Sequence, residues 1–122
     1  MSKNNKKLHG TDGPDVLTGT KKKRRVYGFE GDDLIRTDDG NYKVWGGDGA
    51  DTFVTLNGGK GKMKIMDFEV GDTIKFCGCP LTRIEQRGKN AWIVKGEDVK
   101  AVVKGFDADL LGLDYDNGLI TA

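Results

Sequence analysis

The sequence predicts an all-β fold: a right-handed parallel β-roll of stacked nonapeptide turns, closed by an antiparallel β cap toward its C-terminal end. Three observations predict it. Glycine makes up 19 of 122 residues, with only two prolines. Large apolar residues recur every nine positions, at Leu8, Leu17, Val26, Ile35, Val44 and Phe53. A second register runs with the first: Asp15, Asp33 and Asp51 lie 18 apart, each two residues before an apolar position.

Gly13, Gly31 and Gly49 precede these aspartates by two residues, and Gly10, Gly28 and Gly46 stand three earlier still. The chain therefore holds three copies of G-x-x-G-x-D-x-U-x, where U is large and apolar, at 10–18, 28–36 and 46–54. Two nonapeptides without the aspartate, 19–27 and 37–45, separate them. With only 36% hydrophobic residues, short strands joined by tight glycine turns fit better than one large core. The lack of a strict triplet period excludes collagen. A net charge of +1 gives no whole-chain case for nucleic acid or membrane binding.

The elements follow in order. Residues 1–7 read as a polar, basic tail without the apolar stretch of a secretory signal. No apolar run approaches the ~20 residues of a membrane span, so a soluble chain without a cleaved export signal is expected. Residues 8–76 read as the roll. Each nonapeptide is a turn of about six residues followed by a three-residue strand, and turns alternate between two edges of a flattened coil. Turns 18 apart then superpose, which stacks Asp15, Asp33 and Asp51 in a column. Phe53 to Ile65 is 12 residues, so one turn is longer by three, supplied by the glycine-rich run at 57–62. Ile65 to Ile74 is nine again, which puts Asp72 in the phase of the column.

Residues 77–122 read as a cap over the last rung. Cys77 and Cys79 are one glycine apart and read as two free thiols in a tight turn, because a disulfide at this spacing looks strained. A soft-metal site would need more partners than His9, the only histidine. Strands are expected at Leu81–Gln86, Ala91–Lys95 and Asp98–Lys104, a helical turn within Phe106–Leu113, and a last strand at Leu119–Ile120. Trp92 and Phe106 are expected in the core.

A column of carboxylates repels itself unless a cation sits between its rungs. Calcium suits such a place, since it accepts six to eight oxygens at flexible angles, whereas magnesium demands near-octahedral geometry. Glycine lets the turn bring backbone carbonyls close to an ion.

These residues resemble the RTX, or hemolysin-type, calcium-binding nonapeptide repeats. The match is strongest at Gly46-Gly47-Asp48-Gly49-Ala50-Asp51-Thr52-Phe53-Val54 and imperfect at 28–36, where Phe29 replaces a glycine. The segment from Ile65 to Ile74 is similar to the one that closes such rolls. The resemblance implies that the first six residues of each repeat bind calcium and the last three form the strand. It implies side-chain ligands at Asp15, Asp33, Asp51 and Asp72, with Asp67 near the last ion and Asp32 solvated. Backbone ligands are implied at Gly10, Asp12, Gly13, Gly28, Glu30, Gly31, Gly46, Asp48 and Gly49. Two or three structural calcium ions on one edge follow. It also implies folding coupled to calcium, type I secretion and a place outside the cell or on a cell or virion surface.

The opposite edge departs from the pattern. Arg24 and Tyr42 stand where the aspartates should be. The turn Lys21-Lys22-Lys23-Arg24-Arg25 stacks on Asp38 and Asp39, and weak ion pairs between them are expected to replace the missing ion. The same basic run offers a site for an acidic polysaccharide or another polyanion. No aromatic platform for single-stranded nucleic acid is evident. One histidine supports no Ser/His/Asp or Cys/His arrangement, so no catalytic residue is expected and the chain does not read as an enzyme. The expected role is a calcium-binding module, with a subunit of a virion or surface assembly and a polysaccharide-binding accessory as rivals.

Overall fold

The computed structural model describes residues 7–20, 24–37, 40–55 and 61–122. The chain runs through β1 (Lys7–His9), β2 (Val16–Gly19), β3 (Arg25–Tyr27), β4 (Leu34–Thr37), β5 (Gly40–Trp45), β6 (Thr52–Val54), β7 (Gly61–Ile65) and β8 (Thr73–Lys75). There follow β9 (Thr82–Arg87), β10 (Asn90–Lys95), β11 (Asp98–Val103), a single 3-10 turn at Ala108–Leu110, β12 (Gly112–Asp114) and β13 (Leu119–Thr121).

The first eight strands alternate between two parallel stacks, as a coiled chain must if each nonapeptide contributes one strand. One sheet carries β1, β3, β5 and β7; the other carries β2, β4, β6 and β8. Register reproduces the nine-residue arithmetic. Leu8 faces Val26, Val26 faces Val44, and Val44 faces Ile65. Leu17 faces Ile35, Ile35 faces Phe53, and Phe53 faces Ile74. The last step in each sheet is 21 residues rather than 18, as the longer turn requires. Each of these side chains points inward and meets the other stack. All belong to one apolar core, in which Val26, Ile35, Val44, Phe53, Ile65 and Ile74 are fully buried and Leu8 is the least covered.

The cap prolongs both sheets. Parallel pairing of β11 with β7 is followed by the antiparallel run β11-β10-β9. On the other side β13 pairs antiparallel with β8, and β12 with β13. Each stack therefore passes its unpaired edge to cap strands, and the hydrogen-bonding groups of the last rung are satisfied. Phe68 lies over Phe53 at 6.2 Å and meets Phe106 edge-on at 5.3 Å, which closes this end of the core.

Two expectations need correction. Cys77 and Cys79 form a disulfide. Gly78 at φ +72° folds the chain back, and the two Cα atoms stand 5.2 Å apart, inside the usual range. Trp92 is not core. It lies on the outer face, between the inward-facing Ala91 and Ile93, with Arg87 and Lys62 over its ring at 4.5 and 5.3 Å. The ion pairs expected on the opposite edge fall on Lys21, Lys22, Lys23, Asp38 and Asp39, which lie outside the described residues. In the phase of the lost aspartates, Tyr42 and Met63 are paired and buried. The Arg24 guanidinium lies 5.6 Å from the Tyr42 ring and donates to the Asn41 carbonyl at 3.3 Å. Among the described residues, Tyr42 and Met63 thus fill this phase by packing. No helix among the described residues is long and apolar enough to cross a membrane.

Candidate metal centre

The four aspartates form one hydrogen-bonded column. The Asp15 N–H donates to Asp33 Oδ1 at 2.9 Å, the Asp33 N–H to Asp51 Oδ1 at 3.0 Å, and the Asp51 N–H to Asp72 Oδ1 at 2.9 Å. Backbone bonds run alongside: Leu34, Thr52 and Thr73 donate to the carbonyls of Asp15, Asp33 and Asp51, each at 2.8 Å. Asp33, Asp51 and Asp72 therefore each reach back to the preceding turn with one oxygen, which fixes the other in place.

The second oxygens divide by position. At the ends they are satisfied. Asp15 Oδ2 accepts from the Thr11 N–H at 2.6 Å and from its hydroxyl at 3.1 Å, and Asp72 Oδ2 accepts from the Glu69 N–H at 3.0 Å. In the middle they are not. Asp33 Oδ2 and Asp51 Oδ2 are buried with no hydrogen-bond partner. A buried acceptor without a donor is costly, and a charged one more so.

Glycine creates the space that these oxygens occupy. A Cβ on Gly28 would stand 2.5 Å from Asp33 Oδ2 and 2.7 Å from the Gly46 carbonyl oxygen. One on Gly10 would stand 2.6 Å from Asp15 Oδ2 and 2.8 Å from the Gly28 carbonyl. One on Gly46 would collide with Asp51 Oδ2. Carboxylate and carbonyl oxygens thus crowd the Gly10 and Gly28 rungs, and the two inner carboxylate oxygens have no donor. Gly31 and Gly49 lie against the carbonyls of Gly13 and Gly31 on the turn before, at φ +91° and +103°. Phe29, which stands for the second glycine of its repeat, also takes a left-handed φ of +68°.

The electrostatics follow from burial. Burial pushes the Asp51 carboxyl up to about 8; the bond from the Asp33 N–H opposes this, while the charges of Asp72, Asp33 and Asp67 add to it. Asp33 and Asp72 are raised for the same first reason. Without a cation, then, burial favours the protonated form of Asp33, Asp51 and Asp72.

Other residues of the expected set are placed as follows. The Asp67 carboxylate accepts from the N–H groups of Gly46 at 2.8 Å and Gly47 at 2.9 Å. In earlier turns Gly10 and Gly28 donate to the main-chain carbonyls of Tyr27 and Trp45, so Asp67 supplies by side chain what the backbone supplies elsewhere. Asp32 is exposed, and its Oδ1 accepts from the Ala50 N–H at 2.7 Å, tying two turns together. Asp12, Glu30 and Asp48 are exposed on the turns. No three Asp, Glu, His or Cys side chains converge into a metal cluster among the described residues. A cation at this edge must therefore draw most of its ligands from the backbone. Thr11 and Glu69, which complete the two ends of the column, were not singled out from sequence; the only signal is that Thr11 stands where the third repeat has glycine.

No protein-family model and no curated protein matches the chain.

Proposed function

We propose that the chain is a calcium-dependent folding module of the RTX type, with structural ions held along the aspartate edge. The observation that carries this reading is the pair of buried, donor-free oxygens at Asp33 Oδ2 and Asp51 Oδ2. Both are carboxyl oxygens, and Asp33 Oδ2 lies beside the Gly46 carbonyl, which is the hard-oxygen chemistry that calcium accepts. Asp33 and Asp51 would be the central ligands, with Asp15 and Asp72 closing the ends and the carbonyls of Gly28 and Gly46 nearest. Two inner orphans favour two ions. Calcium would supply the positive charge that lets four stacked carboxylates remain ionised, and binding energy would become folding energy. The role is structural and not catalytic. A module that abundant calcium stabilises suits an exported protein, at a cell or virion surface or in the medium, or a subunit of a surface assembly.

Circular dichroism and calorimetry during a calcium titration, reversed by chelator, test the proposal. The β structure should gain stability with calcium and lose it on chelation. A chain equally stable in excess chelator, with no metal bound, overturns it. The raised Asp51 carboxyl favours one rival, a column satisfied by protons; that reading requires stability at low pH and indifference to calcium. Sizing with and without calcium separates an assembly subunit from a monomer.

A further inference from the structure

We infer that the outer face of the larger sheet binds an anionic polysaccharide, laid along the coil axis over a ladder of basic side chains. Lys7 faces Arg25, Arg25 faces Lys43 and Lys43 faces Lys64, in register on four successive parallel strands. Each residue immediately precedes the inward apolar residue of its strand, so all four side chains leave the outer face. Strands lie about 4.8 Å apart, and the cations recur at that spacing. Asn41 and Lys62, in register two residues earlier, run beside them. Arg25, Asn41, Lys43, Lys62 and Lys64 line a groove of about 360 Å³.

The repeat itself does not demand these charges. The same position on the other sheet holds Val16, Leu34, Thr52 and Thr73, in register with one another and none of them charged. Like charges directly opposite in a sheet are destabilising. No ion pair to Arg25, Lys43 or Lys64 is seen among the described residues. A linear polyanion offsets this repulsion along its whole length.

The neighbouring rings decide which polyanion. Two residues after the ladder come His9, Tyr27 and Trp45, again in register. Tyr27 and Trp45 stack on each other at 4.5 Å and 10°, and His9 meets Tyr27 edge-on at 5.4 Å. Trp92 has Arg87 and Lys62 over its ring. Single-stranded nucleic acid gains its affinity from bases stacked on open aromatic faces, whereas His9, Tyr27 and Trp45 pack on one another. What the groove offers is spaced cations and the exposed Asn41 amide, which match carboxylate or sulfate groups alternating with hydroxyls.

The test titrates the full chain, in calcium, with a polyuronate, with its methyl ester as neutral control and with a single-stranded oligodeoxynucleotide. The polyuronate should bind, more weakly as salt rises, and the ester should not. Lys43→Glu and Lys64→Glu should each weaken binding about tenfold. Lys75→Glu, the same charge change on the other sheet, should change it less than about twofold. Equal losses from all three variants, or tighter binding of the oligonucleotide, overturn the inference. Lys43→Gln with Lys64→Gln removes the charge without adding repulsion and keeps the test decisive if a glutamate variant misfolds. The calcium response of these variants should be that of the parent, so this result and the calcium proposal stand or fall separately.

Discussion

Asp33 takes the N–H of Asp15 on Oδ1 at 2.9 Å and leaves its own Oδ2 buried without a donor. Asp15, one turn away, has both oxygens satisfied with the help of Thr11. The two aspartates have the same place in the repeat and different needs. Asp33→Ala should therefore reduce stability in calcium by about 1–3 kcal/mol more than Asp15→Ala. Chemical denaturation in saturating calcium measures the difference; equal losses would argue against ions at the inner rungs.

Asp51→Asn should show a crossing. The amide keeps an acceptor for the Asp33 N–H but carries no charge. In calcium the variant should be less stable than the parent, since an ion loses a ligand. In chelator at alkaline pH it should be the more stable of the two, because no charge remains buried. Thermal melts of both proteins in both buffers give the sign directly.

The metal-free chain should weaken as pH rises. The folded Asp51 carboxyl lies at about 8, above its ordinary 3.8. A raised acid favours folding in its protonated form. That contribution is complete below the unfolded value and lost as pH passes through the folded one. Stability in chelator should thus fall between about pH 4 and 8, with Asp33 and Asp72 acting in the same direction. Saturating calcium should flatten the profile. A metal-free chain that gains stability over this range contradicts the burial of the column.

Gly28→Ala tests the crowding separately from charge. Its backbone φ is not left-handed, so the effect is the Cβ driven toward Asp33 Oδ2 and the Gly46 carbonyl. A loss of about 1–3 kcal/mol is expected, together with weaker calcium binding. Gly88→Ala has open space around it and φ +61°. It should lose about 1–2 kcal/mol from backbone strain and leave calcium binding unchanged.

The Cys77–Cys79 disulfide closes a loop with a sequence separation of 2. So short a loop restrains the unfolded chain little, at most about 2 kcal/mol in the entropic picture. Reduction should lower the melting temperature far less than chelation does.

Much of this molecule could be read from spacing. The inward column Leu17, Ile35, Phe53 and Ile74 followed from a nine-residue period, and Asp72 joined its column through the three-residue lengthening at 57–62. Periodicity is a repeated constraint, so each rung repeats the test. What escaped depends on single contacts. Thr11 and Glu69 satisfy the ends of the column, where the repeat no longer applies. Tyr42 and Met63 stand in the phase of the lost aspartates, and their burial rests on packing that spacing does not show. Trp92 is apolar enough for a core, but alternation along β10 turns it outward beside two cations. The return of β11 to lie parallel with β7, and the short β12, rest on tertiary pairing without a local signal.

The column also has a direction. Asp33 holds the turn of Asp15, Asp51 holds that of Asp33, and Asp72 holds that of Asp51. Every rung is fastened by a carboxylate that lies later in the chain. Only Asp72 gains a local partner for its other oxygen from within three residues, at Glu69. The rungs can then be fixed in sequence from the cap backward, like a zip started at one end. Deleting the cap should therefore loosen every rung before it, whereas trimming residues before Asp15 should leave the later rungs in place.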